Sequence, residues 1–234
     1  MTEPGTLFGV GVGPGDPDLI TLKAVKALGQ VDVIFAAAST DNDHSIALSI
    51  AGPHLPGGAR VVTLGFPMTH KRAALEQAWE DNAAIVAETV EAGENAAFLT
   101  LGDPLTYSTF GYLLRALRRR SPDLPVVVIP GVTSYQAAAA RTETVLSEAR
   151  ESLLVISGIC DAERLRALLK NTDNAAILKA YRNLPVIRQT LEEMNLTKNV
   201  TFVSRLGLED EMIVEDADAI PDDPNYLSLL LVKK

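Results

Sequence analysis

Short apolar runs alternate with helix-like segments through the first 140 residues, and no other property constrains the fold of this chain so strongly. Residues 7–12, 31–37, 61–64, 96–101 and 126–129 read as strands. Helical segments lie between them, at about 21–30, at 71–92 and from Phe110 onward. Across 71–92, Leu75, Ala78, Trp79, Asn82, Ile85, Val86 and Thr89 follow the helical period, which predicts that this face meets the core. Phe110, Leu113, Leu114 and Leu117 mark the core face of the next helix in the same way. Nearly all-apolar strands joined by helices imply a mainly parallel sheet covered on both faces.

The polar stretch 141–151 interrupts this pattern and predicts a boundary, with one domain over residues 1–141 and a second over 142–234. In the second, 153–157, 175–179 and 200–204 read as strands, with helices near 162–170 and 185–194. The strongly apolar segment 226–232 predicts a central strand. The fold class is therefore α/β, in two domains.

Ligands bind α/β sheets outside the carboxyl ends of the strands, and three strand exits here have unusual composition. The first is Gly9-Val10-Gly11-Val12-Gly13-Pro14-Gly15-Asp16-Pro17. The second is Leu101-Gly102-Asp103-Pro104, followed by the hydroxyl-rich Thr106-Tyr107-Ser108-Thr109. The third is Pro130-Gly131-Val132-Thr133-Ser134-Tyr135, entering the alanine-rich 137–140. Leaving one parallel sheet, all three are expected along a single edge. The first loop is not a dinucleotide fingerprint. Counted from Gly9 the third glycine position holds Pro14, counted from Gly11 it holds Asp16, and no acid ends the second strand. A phosphate-binding Gly-x4-Gly-Lys-Ser/Thr is absent as well. A nicotinamide-dependent oxidoreductase is disfavoured accordingly.

Composition narrows the partners. A formal net charge of −9 argues against nucleic acid, whose binders carry a basic excess. Arg115, Arg118, Arg119 and Arg120 read as a solvated helix end that complements the helix dipole. No apolar run approaches the roughly 20 residues of a membrane span, and the first residues lack the pattern of a signal peptide. The lone cysteine, Cys160, excludes an internal disulfide, and His44, His54 and His70 have no ligand spacing, so no metal is expected. A cytoplasmic protein fits these features.

Taken together and in order, the three loops resemble those of the tetrapyrrole (corrin and porphyrin) methylases. The residues that carry the resemblance are Gly11-Val12-Gly13-Pro14-Gly15-Asp16-Pro17 with Leu22-Lys23-Ala24, then Gly102-Asp103-Pro104, then Pro130-Gly131-Val132-Thr133-Ser134. Within the family, Pro67-Met68-Thr69 before the helix bearing Trp79, Tyr107-Ser108-Thr109-Phe110, Lys179-Ala180-Tyr181-Arg182 and Tyr226-Leu227-Ser228 are similar to the branch that methylates C20 of precorrin-2. Leu101, where the uroporphyrinogen methylases usually carry glycine, points the same way.

The resemblance implies S-adenosylmethionine as methyl donor, a tetrapyrrole substrate, a homodimer, and an active site in the trough between two α/β domains. Carried over by position, it assigns the donor to Leu101, Gly102, Asp103, Thr106, Ser108, Thr133 and Ser134, with Ala180 and Leu206 on the adenosine side. Pro14, Asp16, Tyr107, Arg141, Lys179 and Arg182 are assigned to the substrate, and Arg205 is a further cation for its carboxylates. A sulfonium methyl is already electrophilic, so no nucleophilic side chain or metal is expected. Asp103 is expected to orient a ligand rather than touch sulfur, because a carboxylate there would favour the ground state, whose charge disperses in the transition state. Tyr107, Asp16 and water are the candidate acceptors for the displaced proton.

Overall fold

The computed structural model describes residues 3–39, 45–67, 69, 71–159 and 161–234. His44, Met68, His70 and Cys160 lie outside the described residues. The chain divides into two compact units, Met1–Thr133 and Ser134–Lys234. The helix Ser134–Arg141 thus groups with the second unit, and the division falls ahead of the 141/142 boundary expected from composition.

The first unit holds one five-stranded parallel sheet. Its strands are β1 (Leu7–Gly11), β2 (Val33–Ser39), β3 (Arg60–Phe66), β4 (Ala96–Thr100) and β5 (Val126–Ile129), in the order β3-β2-β4-β1-β5. All five residues of the central strand β4 are buried, and alternate ones serve two cores. Ala96 and Phe98 join Phe35 and the apolar faces of α3 (Arg72–Glu91) and α4 (Phe110–Arg120). Ala97 and Leu99 join Val10 and Ile34 under α1 (Leu22–Leu28) and α2 (Ile46–Ala51). The chain therefore leaves β1 through a helix on one face and β4 through a helix on the other. The exits of these neighbouring strands form the topological switch point, where doubly wound sheets take their ligands.

The predicted face of α3 needs correction. Asn82, Ala83, Val86, Ala87 and Val90 are buried, whereas Ile85 is 43% exposed. Asn82 sets the rotation by donating its side-chain amide to the Gly65 carbonyl at 2.9 Å, a polar tie inside an otherwise alanine-rich contact. Trp79 stacks on Tyr112 of α4 with ring centroids 4.4 Å apart, and Arg115 lies over the Tyr112 ring. The arginine-rich end of α4 is tied locally: Arg118 donates to the Pro122 and Leu124 carbonyls, and Arg119 pairs with Glu80.

The second unit carries β6 (Leu153–Ser157), β7 (Asn174–Leu178), β8 (Val200–Ser204), β9 (Met212–Val214) and β10 (Ser228–Lys233), ordered β6-β7-β10-β8-β9. β10 is central, as the apolar run predicts, and antiparallel to both β7 and β8, so the carboxyl ends of β7 and β8 share an edge. α5 (Ser134–Arg141) lies against β10, while α6 (Ala162–Lys170) and α7 (Leu184–Glu193) cover a core of Ile177, Phe202 and Leu230.

Two carboxylates pin the opposite edge of this sheet. Glu151 accepts from Lys233 Nζ at 2.6 Å and Asn174 Nδ2 at 2.8 Å, and Asp173 accepts from the Ser152 N–H and hydroxyl, each at 2.7 Å. These donors, Lys233 foremost for Glu151 and the Ser152 N–H foremost for Asp173, hold both carboxyls below the usual carboxylate range. Their stabilisation is complete above the unfolded-chain pKa and is lost as pH falls through the depressed native values. Denaturant midpoints of the chain are expected to drop as pH falls below about 4.5. Glu151→Gln with Asp173→Asn should flatten that slope in a titration of midpoint against pH.

Candidate active site

The three glycine-rich strand exits meet on one edge of the first unit. Val12 N–H donates to the Thr100 carbonyl at 3.0 Å, and Gly13 and Gly102 form an isolated antiparallel bridge, with Gly102 N–H donating to the Gly13 carbonyl at 2.8 Å. Glycine is required here by close approach. A Cβ on Gly11 would lie 2.5 Å from the Gly102 carbonyl oxygen and 2.6 Å from Gly131 N; one on Gly131 would lie 2.1 Å from that same oxygen. Three backbones from distant parts of the sequence are thus packed with no side chain between them.

Asp103 fastens the second loop to the third. Its Oδ1 accepts from Leu105 N–H at 2.9 Å and the Thr106 hydroxyl at 3.1 Å, and its Oδ2 accepts from Gly131 N–H at 3.3 Å. Gly102 itself adopts φ +69°, and a Cβ placed there would meet nothing closer than the Val132 carbonyl oxygen at 3.9 Å. The buried Gly102 thus packs at ordinary van der Waals distance against the third loop.

The other first-unit candidates surround this point. Pro14 and Thr133 are buried, and Leu101 is partly buried. Ser108 shares a 2.6 Å hydrogen bond with Thr100 and accepts from Phe110 N–H at 3.1 Å, so its hydroxyl opens α4. Asp16 accepts from Asp18 N–H at 2.9 Å, capping a single helical turn, Pro17–Leu19. Tyr107 is half exposed and holds a left-handed backbone, φ 51°. A non-glycine residue in that region stores strain, and such residues concentrate at functional sites.

In the second unit the carboxyl edge of β7 and β8 holds the remaining group. Lys179 and Arg205 follow those strands directly, and both are left-handed, at φ 56° and 52°. Ala180 is fully buried and Leu206 is 8% exposed. Arg182 donates through Nε to the Tyr181 hydroxyl at 2.7 Å, and the Tyr181 and Tyr226 rings lie 5.2 Å apart. Burial, followed by the Arg182 charge, holds the Lys179 amine below its usual range. Burial pushes the Tyr226 phenol up. Ser134 opens α5 and Arg141 closes it, where Arg141 Nε pairs with Glu211 at 2.8 Å. Arg141 thus has a hydrogen-bonded carboxylate of its own, where Arg205 has a looser pair with Asp210 at 3.5 Å.

Tyr226 enters the sequence reading only through the resemblance, and Glu211 lies outside it. Glu211 also accepts from Gly207 N–H at 2.9 Å, fixing the loop after β8, and no local sequence signal marks that role. His54 ties to the Pro17 carbonyl at 3.2 Å. Among the described residues no three His, Cys, Asp or Glu side chains form a group able to hold a metal, and no helix is long and apolar enough to cross a membrane.

A family model described as Tetrapyrrole (Corrin/Porphyrin) Methylases matches residues 6–218. The cobalt-precorrin-2 C(20)-methyltransferase of Salmonella typhimurium is 34% identical over 232 residues, covering 98% of this chain and 97% of that protein. The cobalamin biosynthesis protein CobIJ of Mycobacterium bovis is 35% identical over 240 residues, covering 99% of this chain; the chain spans 46% of that relative's length. Among solved structures, uroporphyrin-III C-methyltransferase of Thermus thermophilus complexed with S-adenosylhomocysteine superposes with a TM-score of 0.68 at 22% identity, covering 97% of each chain, which shows a shared fold. The glycine-locked loops all lie inside the matched span, and the chain belongs to the tetrapyrrole (corrin/porphyrin) methylase family.

Proposed function

We propose that this chain transfers a methyl group from S-adenosylmethionine to C20 of precorrin-2 or its cobalt form, in cobalamin biosynthesis. The observation that carries the reading is end-to-end similarity to a C20-methyltransferase, with the resemblance-bearing loops packed on one sheet edge. The first unit suits the donor: its three glycine-rich loops meet on one edge at the carboxyl ends of the strands, where such sheets take their ligands. Leu101, Gly102, Thr106, Ser108 and Thr133 are the first-unit residues proposed to hold it. A working homodimer in the cytoplasm belongs to the same reading and rests on the family resemblance and the lone cysteine.

When bound, the sulfonium donor supplies an electrophilic methyl group, the C–S electron pair leaving on sulfur as the new C–C bond forms. The chain's task is to hold the reacting carbon close and in line, an effect worth roughly 7–11 kcal/mol in favourable intramolecular cases. Asp103 serves as a positioning residue, since both its oxygens are engaged by loop backbone and Thr106. Tyr107, held in a strained conformation on the edge, and Asp16 are the proposed acceptors for the proton lost from the methylated carbon. Pro14 closes the substrate side of the first loop.

The test is incubation of purified chain with S-adenosylmethionine and precorrin-2, with and without cobalt, followed by mass spectrometry. The expected result is a mass gain of one methyl in place of hydrogen, with one equivalent of S-adenosylhomocysteine formed. No gain with either tetrapyrrole overturns the C20 assignment and leaves the family membership intact.

A further inference from the structure

The protein is acidic overall, yet the carboxyl edge of the second sheet gathers the cations Lys179, Arg182 and Arg205. Lys179 leaves β7 and Arg205 leaves β8. Both strands pair with β10, through Leu178 with Leu229 and Ser204 with Ser228, so the two exits flank the start of β10. Two strand spacings separate them, about 10 Å. Among the described residues, Lys179 has no carboxylate or hydrogen-bond partner for its amine, and Arg182 reaches only the Tyr181 hydroxyl. Arg205 Nε is buried with no hydrogen bond; Asp210 Oδ2 stands 3.5 Å away, outside hydrogen-bond geometry and largely in solvent.

Leaving a buried guanidinium N–H unpaired is costly, and so is confining a partly buried amine beside another cation. The chain pays in backbone conformation as well, since Lys179 and Arg205 both occupy the left-handed region. These costs are explained if an anion completes the arrangement. Arg205 N–H is tied to the Leu227 carbonyl at 2.8 Å, so the strained residue is fixed relative to β10. The spacing suits two separate acidic groups on one rigid molecule better than a single small anion, which one cation would satisfy.

We propose that Lys179 and Arg205, assisted by Arg182, form a two-point anchor for two carboxylate side chains on the rim of the tetrapyrrole, and that Arg141 takes no part. This rests on the reading of the chain as a tetrapyrrole methylase, and it deepens that reading by assigning which cations select the substrate. The exclusion of Arg141 follows from its 2.8 Å pair with Glu211, which satisfies its charge within the fold.

The test measures binding, so it stands apart from whether C20 is methylated. Uroporphyrin, carrying acetate and propionate chains, and coproporphyrin, which carries methyls in place of the acetates, are titrated by fluorescence against the wild-type chain, Arg205→Gln, Lys179→Gln, the double variant and Arg141→Gln. S-adenosylmethionine affinity is measured by calorimetry on the same samples, and melting temperature checks folding. Each single variant is expected to weaken uroporphyrin about tenfold or more, the scale of one charge-assisted hydrogen bond. The double variant should lose more, Arg141→Gln should match the wild type, and Arg205→Lys should recover part of the loss. Donor affinity should change less than about twofold, because RT ln 2 lies within the noise of a surface substitution. Unchanged uroporphyrin affinity in folded variants, absence of porphyrin binding by the wild type, or an equal loss of donor affinity overturns the proposal.

Discussion

Alanine at Gly131 is expected to disable the first unit. Its Cβ would stand 2.1 Å from the Gly102 carbonyl oxygen and 2.8 Å from both Gly11 Cα and its carbonyl carbon. All three are backbone atoms at the ends of strands β1 and β4, so no rotamer change relieves the clash. The strand exits must separate, breaking the Gly13–Gly102 bridge and the Asp103 contact with Gly131. Overpacking normally costs about 1–3 kcal/mol, and a clash against fixed backbone belongs at or above the upper end. Gly131→Ala should lower the denaturation midpoint accordingly and reduce turnover at least about a hundredfold if the edge positions the reactants. Gly111→Ala is the comparison. Nothing lies within 4 Å of a Cβ there, so in the first turn of α4 the same change should leave the midpoint close to that of the wild type. Equal midpoints for Gly131→Ala and the wild type would refute the close packing of the three exits.

Asp103→Ala is expected to separate positioning from stability. The substitution removes acceptors for Leu105 N–H, the Thr106 hydroxyl and Gly131 N–H at once. Loss of a turn-capping carboxylate costs about 0.5–2 kcal/mol, because the freed N–H groups are reached by water. The functional loss should be larger, since the second loop is no longer held against the third exit. Donor affinity is expected to fall about 10- to 100-fold, the effect of losing one or two well-placed hydrogen bonds. Asp103→Asn should fall between, because one amide oxygen can keep Leu105 and Thr106 while its NH2 opposes Gly131 N–H. Calorimetry with S-adenosylhomocysteine reads the affinity directly. A folded Asp103→Ala chain that binds it as tightly as the wild type removes Asp103 from the site.

The elements that sequence patterns located well were those with sharp punctuation. The runs 126–129, 153–157 and 200–204 and the helix 162–170 match the observed strands and helix. Each is apolar or strongly amphipathic, and each is bounded by residues that stop regular structure. The helix α2 and the strand β9 were missed because six and three residues are too short to show a period. The face of α3 was misjudged for a different reason. Alanine is indifferent between core and surface, so the period reads Ile85 as a core residue, whereas the buried amide of Asn82 decides the rotation. The antiparallel direction of β10 is likewise invisible to periodicity, because an apolar central strand reads the same in either orientation.

The candidate site was legible as composition and not as geometry. Glycines at 11, 102 and 131 mark strand exits, but only the fold reveals that each excludes a side chain for the sake of the other two. Asp103 reads from sequence as a ligand-facing carboxylate, whereas the hydrogen bonds found for it belong to the loops themselves. The cations at 141, 179, 182 and 205 are indistinguishable in the sequence. What separates Arg141 from the rest is Glu211, a partner seventy positions away, supplied by the loop after β8.

The position of the new methyl group is the most direct measurement. The chain is incubated with precorrin-2 and a donor isotopically labelled in its methyl group, and the product is read by NMR. A single labelled methyl on the meso carbon C20 is the expected result. A labelled methyl on any pyrrole carbon or other meso carbon, or no label in the tetrapyrrole while the donor demonstrably binds, would contradict C20 methylation.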